Sequence, residues 1–409
     1  MTDVLKPETA EQALDVLRWA AAEEVPLEVL GAGSKRAFGR PFQATHGLDT
    51  SALAGITLHE PEELVMSAGP GTRLAEIEAT LAEANQQLAF EPADLGPLLG
   101  GTGGAGTIGG VFSCNLTGPR RIKAGAARDH LLGLQAVSGR GEAFKSGGRV
   151  VKNVTGYDVA KLMTGAFGTL GVFTQLTFKV LPAPETVRTL LLFGLDDATA
   201  VKALTAALQS PFEVSGAAHL PAPVAARTVA AADTEDAMAV TALRLEGFAR
   251  SVAARVEGLA TALASFGATQ SLDADATETF WKQVRDVAPF VGAAGEERDV
   301  WKLSVPPMAG PAVASRLSAS AGAEHYFDWG GGLIWAALPA SADGGAAKTR
   351  AAIAECGGHA TLTRAPEAVR AAVDVFQPQP AALAALTARV KDSFDPKRIL
   401  NPGRMYAGV

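Results

Sequence analysis

The sequence predicts an α+β fold, and three observations carry that prediction. Apolar strand-like runs alternate with amphipathic helical stretches through the N-terminal part, punctuated by glycine turns. From Pro184 the composition shifts to alanine-rich helices separated by short strands, which predicts a second α+β domain built on an antiparallel sheet with helices on one face. The length, 409 residues, allows two or three domains at roughly 150 residues each.

The elements follow in order. Thr9 and Gln12 have the spacing of a capping box, and Leu14, Leu17 and Ala21 fall on one face of the helix that follows. "PLEVLGAGSKRAFG" is a buried strand running into a glycine turn, and "LVMSAG" (64–69) is another strand. "TRLAEIEATLAEAN" sets Leu74, Ile77 and Leu81 on one side of a helix. "LLGLQAVSG" and "GTLGVFTQLTFKVLP" are strands, the second stopping at Pro182. Beyond Pro184, "DDATAVKALTAALQS" and "GFARSVAARVEGLATALASFGA" are helical, whereas "WKLSVPP" and "GGLIWAALP" are strands.

Bulk composition excludes several classes. An apolar share of 48% with 19% charged residues describes a soluble globular chain. A net charge of −7 and a pI near 5.5 do not fit a general nucleic-acid binder, which needs basic surface against phosphates. Cys114 and Cys356 stand far apart, so this chain holds no cysteine-bound iron–sulfur cluster of its own. The charged N-terminus does not read as a signal peptide, and no apolar run reaches spanning length. A cytoplasmic protein is expected, with any membrane attachment made through partners.

"GGTGGAGTIGG" (100–110) contains G-x-G-x-x-G letter for letter at Gly101–Gly106. A dinucleotide fingerprint of the Rossmann type must follow a strand and open a helix. Here "FEPADLGPLL" precedes it, broken by prolines, and "TIGGVFSCNLTGPRR" follows, with two glycines and a proline where a helix should run. The motif therefore fails on context. Glycine also lets backbone N–H groups approach a phosphate. Three clusters, at 31–35, 100–110 and 164–172, suit a long ligand of FAD shape lying across strand ends.

The joined order "GAGSKR … AGPGTRLAEIE … FEPADLG … GTIGGVFSCNLTGPRRIKAGAARDHLLGLQAV … GRVVKNVTGYDVAKLMTGAFGTLGVFTQLTFKVLP … NPGRM" resembles the FAD-binding domain of the vanillyl-alcohol oxidase/PCMH superfamily. Within it, "VVKNVTGYDVAKLMTGAFGTLGV", "DWGGGLIW" and "RAPEAVRAAVDVFQPQP" resemble the FAD-binding E subunits of bacterial glycolate oxidase. The resemblance implies a PCMH-type FAD domain of two α+β subdomains (1–184), an α+β cap domain with an antiparallel sheet (185–394) and a C-terminal return (395–409). It implies that Gly31, Ala32, Gly33, Ser34 and Lys35 form the first phosphate loop, and that Thr107, Ile108, Gly109 and Gly110 line the pyrophosphate and ribose. Asn115 and Gly118 continue the isoalloxazine-side wall. Gly168, Thr169, Gly171 and Val172 hold the far end, and Asn401 and Arg404 close over the flavin. Two departures matter. Ser34 and Lys35 stand where many relatives carry a flavin-linking histidine, so the FAD is expected to be non-covalent; Ala166 and Phe167 stand where relatives read G-S-E-G-T-L-G, so a carboxylate is missing.

Oxidising a 2-hydroxy acid on a flavin needs a base for the hydroxyl proton and a cation for the carboxylate. Catalytic relatives implied by the resemblance place histidines and a glutamate around a metal, in a pattern like H-x-G-D-G-N-x-H. "HYFDWGGGLIW" keeps one aspartate of that pattern and lacks its second histidine, so no metal site is expected. His325, Asp328 and His359 remain as catalytic candidates, without visible partners in the sequence. His46, His59 and His219 likewise have no neighbour that supports a role, and His130 belongs to the fold. Arg120, Arg121, Lys123 and Arg128 form a basic patch: either a solvated face, or contacts to FAD phosphates, a substrate carboxylate or a partner. Lys152 and Asp158 either pair with each other or border the flavin.

The resemblance then implies an FAD-binding subunit of a glycolate oxidase complex. Its companions are a second, catalytic-type FAD-binding subunit and an iron–sulfur subunit delivering electrons to quinone, and its substrate class is a small 2-hydroxy acid. The alternative is a non-catalytic subunit that holds FAD for assembly or electron relay.

Overall fold

The computed structural model describes residues 3–149, 156–231, 238–292 and 298–409. The chain forms two units, one of residues 1–117, 125–183 and 378–409, the other of 118–124 and 184–377.

The first unit carries two sheets. Three parallel strands lie in the order Asp3–Leu5, His46–Asp49, Leu27–Leu30. The helix Ala10–Glu23 packs here because Ala13, Leu17 and Ala20 recur at helical spacing and are fully buried. Its cap is Thr9, whose hydroxyl accepts from Gln12 N; the glutamine answers by accepting from Glu8 N rather than Thr9 N. The second sheet is antiparallel, ordered Ile56–Glu60, Val65–Ala68, Gly171–Lys179, Leu131–Ser138, Ala143–Gly147. One apolar cluster joins the two parts of this unit: Leu17, Leu27 and Leu48 from the first, Val137 and Val172 from the second. Ile399 and Leu400 complete it, and Leu27 bridges to Leu400. The C-terminal return is thereby core, not a tail.

The second unit is an antiparallel sheet, ordered Thr269–Leu272, Thr186–Phe193, Val240–Gly247, Gly216–Leu220, Glu324–Asp328, Leu333–Pro339, Arg298–Ser304, His359–Arg364. Strand alternation sends Leu190, Leu192, Leu243 and Leu245 to a face covered by the helices Asp197–Leu208 and Ala249–Ala262. Thr189 points the other way, where Trp281 of the helix Ala274–Arg285 donates its indole N–H to the threonine hydroxyl. Helices therefore cover both faces, not one as the sequence suggested. The amphipathicity of Ala274–Arg285 is directed at a polar-and-aromatic face that composition alone did not reveal.

Candidate functional site

The strand Leu27–Leu30 runs out into Gly31–Lys35, and this loop forms one wall of a cleft in the first unit. The cleft's open volume, counted out to solvent, is about 720 Å³. Gly31, Ala32, Gly33, Ser34 and Lys35 all line it. At Gly31 a Cβ would stand 2.8 Å from Thr107 Oγ1, so the first and second loops touch backbone to side chain. Gly33 has φ of +72° with open space where a side chain would be.

The second wall corrects the sequence reading. A helix does run after the glycine-rich stretch, over Ile108–Cys114. Thr107 caps it by accepting from Gly110 N, which offsets the poor helix propensity of Gly109 and Gly110. The fingerprint residues themselves, Gly101–Gly106, turn around Asp94: its carboxylate accepts from Gly104 N at 2.6 Å and from Gly96 N at 3.1 Å. Thr107, Gly109 and Gly110 line the cleft, whereas Ile108 is buried beneath it. A Cβ on Gly109 would meet Pro70 Cβ and O at 2.7 Å. That glycine is required by the approach of the helix to Pro70, and Gly110 is the position whose added methyl would meet only Lys35 Nζ and Thr107.

The third loop and the C-terminal return complete the cleft. Gly168, Gly171 and Val172 line it, whereas Thr169 is buried and donates its hydroxyl to Ala166 O. Asn401 Oδ1 accepts from Val29 N at 2.7 Å and its Nδ2 donates to Phe167 O at 2.7 Å. One asparagine thus fixes the strand Leu27–Leu30 against the third loop. Its φ of 41° is one that asparagine tolerates better than most residues. Arg404 donates to Lys35 O at 2.9 Å and Phe38 O at 3.0 Å, bracing the first loop from behind. Asn115 ends the second-loop helix in the left-handed conformation and accepts from Arg128 N, while Gly118 belongs to the second unit.

Lys35 lines the cleft together with Arg36 and Arg404. Burial lowers its pKa, while the neighbouring Cys114 and Asp94 work to keep it charged. Burial in turn pushes the Cys114 thiol up. The sequence reading missed Pro70, Ser113, Cys114, Phe167 and Phe173 as lining residues. A signal existed for Pro70, because its flanking glycines are forced: a Cβ would lie 2.3 Å from Leu53 O at Gly69 and 2.5 Å from Ser51 O at Gly71.

The catalytic candidates lie in the second unit, with partners that sequence did not reveal. His325 Nε2 is 2.8 Å from Asp197 Oδ2, and His219 Nε2 is 3.3 Å from Asp197 Oδ1. His219 also bonds Thr241 Oγ1 through Nδ1, and in the first unit His59 bonds Gln86. Burial alone would raise the Asp197 pKa; the hydrogen bonds and charges of His219 and His325 overcome this and hold it well below the usual carboxylate range. A carboxylate depressed by folding contributes stability above its ordinary pKa of 3.8 and loses it as pH falls through the folded value. Urea melts should therefore find Asp197→Asn less stable than wild type at pH 6, with the gap closing as pH is taken from 4 towards 2. A gap unchanged over that range would remove the charge from the account. Asp328 is buried and accepts from Trp329 N at 2.7 Å, and His359 is exposed at the start of its strand.

The basic patch divides. Arg120 is committed to Glu246 through two bonds at 2.8 and 3.0 Å, Lys123 pairs with Glu213, and Arg128 belongs to the first unit. Asp158 pairs with Lys161; Lys152, the partner expected from the sequence, lies outside the described residues.

Comparison with known proteins agrees with this geometry. The family described as "FAD binding domain" matches residues 2–147, and that described as "FAD linked oxidases, C-terminal domain" matches 377–405. The glycolate oxidase subunit GlcE of Escherichia coli is 32% identical over 400 residues, covering 97% of both chains. GlcD of Bacillus subtilis is 30% identical over 46% of this chain and 38% of its own. The fold is shared with 4-ethylphenol oxidase from Gulosibacter chungangensis at TM-score 0.72 and 16% identity, covering 99% of this chain and 89% of that one. p-Cresol methylhydroxylase gives TM-score 0.69 at 15% identity, covering 98% and 88%. The cleft of glycine loops thus sits in a PCMH-type FAD-binding domain, and the chain belongs to the GlcE family of glycolate oxidase subunits.

Proposed function

We propose that this chain is the FAD-holding subunit of a multi-subunit dehydrogenase that oxidises glycolate or a related small 2-hydroxy acid. The observation that carries the reading is the end-to-end match to a glycolate oxidase subunit, joined to a cleft where three glycine loops and one lysine converge. When bound, FAD supplies a two-electron acceptor. Around it, Gly33 and Gly110 leave room for backbone to approach the dinucleotide, and Lys35 faces its pyrophosphate. Asn401 and Arg404 keep the first and third loops in place. Thr107, Gly109, Gly168, Gly171 and Val172 complete the wall. Ile108, Asn115 and Thr169 support it from outside the cleft lining. The FAD is non-covalent, since Ser34 and Lys35 offer no flavin-linking histidine. Acid precipitation should leave all the yellow colour in the supernatant, and colour in the denatured pellet would contradict this. The companions are a second FAD-binding subunit and an iron–sulfur subunit, with any membrane attachment through them.

A second reading, that this subunit holds FAD without oxidising substrate itself, is favoured by the commitments of two of the candidates. His325 has Nε2 against Asp197 and Nδ1 3.4 Å from Ser318 Oγ, and Asp328 accepts from the Trp329 backbone, so both ring nitrogens and this carboxylate already have protein partners. Anaerobic glycolate or D-lactate added to the purified chain distinguishes the two. Bleaching of the flavin makes this chain the dehydrogenase; bleaching only after the companion subunits are added supports the holding role.

A further inference from the structure

In the second unit, Lys302 of the strand Arg298–Ser304 is half-buried beside two indoles. Its Nζ lies 5.1 Å from the ring centroid of Trp329 and 5.7 Å from that of Trp335. The Arg121 guanidinium stands 4.4 Å from the same Trp329 ring. Burial, then the neighbouring charge of Arg121, lowers the Lys302 pKa to about 8, with Asp328 opposing. Among the described residues neither cation has a hydrogen-bonded or ion-paired carboxylate. The nearby acids are otherwise engaged: Glu246 holds Arg120, and Asp328 accepts from the Trp329 backbone. Asp328 offsets only one of these two positive charges, so the cluster keeps a net positive charge that an anion between the cations would stabilise.

The surroundings are rigid. Trp329 has φ of 52°, a conformation costly for so bulky a residue, within the turn Asp328–Gly332. Its indole N–H donates to Gly118 O at 3.1 Å. The glycines beyond it are pressed against neighbouring elements: a Cβ on Gly330 would reach Leu208 Cδ1 at 2.5 Å, and one on Gly331 would meet Pro307 O at 3.0 Å. Strain maintained by packing of this kind positions a ring rather than merely turning a chain. Strand register adds Thr361 opposite Lys302 on one side and Trp335 on the other, giving the face one hydroxyl beside its apolar surface.

We propose that Lys302 and Arg121, set against Trp329 and Trp335, form a binding site for a small carboxylate anion. That the natural anion is a 2-hydroxy acid rests on the function proposed above; the anion site itself does not. The two indole faces beside the cations suit a planar carboxylate better than a tetrahedral oxyanion.

The test is calorimetric titration of the purified full-length chain with oxalate, which mimics the acid without being oxidised, alongside glycolamide and sulfate at matched ionic strength. Saturable oxalate binding is expected, with a change in tryptophan fluorescence. Lys302→Met and Arg121→Met should each weaken it by about ten- to a hundredfold, the range for one charge-assisted bond, while Lys302→Arg keeps most of it. Neutral glycolamide should not compete. Circular dichroism and flavin content check that each variant is folded. Oxalate binding unchanged in both methionine variants, sulfate binding as tightly as oxalate, or no oxalate binding at all would overturn the site. A chain that binds oxalate through Lys302 while its complex fails to oxidise any 2-hydroxy acid would keep the site and remove the functional reading.

Discussion

Lys391→Met is expected to destabilise the chain by about 3–5 kcal/mol, the cost of breaking a buried ion pair by removing one partner. Lys391 and Asp395 are both fully buried and 2.7 Å apart at Nζ and Oδ2, one helical turn from each other near the end of the helix Ala381–Phe394. The ammonium also donates to Thr169 O at 2.7 Å and Leu400 O at 3.0 Å. The aspartate accepts from Ile399 N and Leu400 N. Removing the lysine therefore leaves a buried carboxylate half-compensated and two carbonyls without their donor. Those carbonyls belong to the third loop and to the residue before Asn401, so flavin retention should fall along with stability. Urea unfolding monitored by circular dichroism and by flavin release reads both. A loss under about 1 kcal/mol, the value of an ordinary surface pair, would remove this pair as the anchor of the C-terminal return.

If Lys35 faces the FAD pyrophosphate as proposed, Lys35→Glu is expected to weaken FAD binding by two to three orders of magnitude, about 3–4 kcal/mol for reversing a largely desolvated charge. The fold should survive, because among the described residues Lys35 Nζ hydrogen-bonds only the adjacent Ser34 Oγ, at 3.2 Å, and its backbone carbonyl still receives Arg404. Lys35→Gln should fall between wild type and the glutamate variant. Equilibrium dialysis of FAD against each variant measures the ratio. Equal affinities for wild type and Lys35→Glu would place the pyrophosphate elsewhere.

Glycine made most of the cleft readable, because close backbone approach and positive φ strongly favour it over other residues. The loop 31–35 and the cluster at 164–172 were read from that signature, and Asn401 and Arg404 entered through resemblance. The same signature has other causes too: Gly101–Gly106 serve the turn around Asp94, and Gly109, which lines the cleft, also admits Pro70. The helix Ile108–Cys114 was unreadable because one threonine cap outweighs two glycines, a balance decided by tertiary packing. The partner of His325 lies 128 residues away, and Lys302 and Arg121 come together only over the ring of Trp329. Pairings of that kind have no local spacing to detect.

The account centres on FAD held by the first unit's cleft. Its direct measurement is the flavin stoichiometry of the purified wild-type chain, repeated with Gly110→Val. The account predicts one acid-releasable FAD per wild-type chain, and a folded Gly110→Val that binds little or none, since its side chain would enter the cleft beside Lys35. A wild-type chain that takes up no FAD, or a Gly110→Val chain that retains one full equivalent, would contradict it.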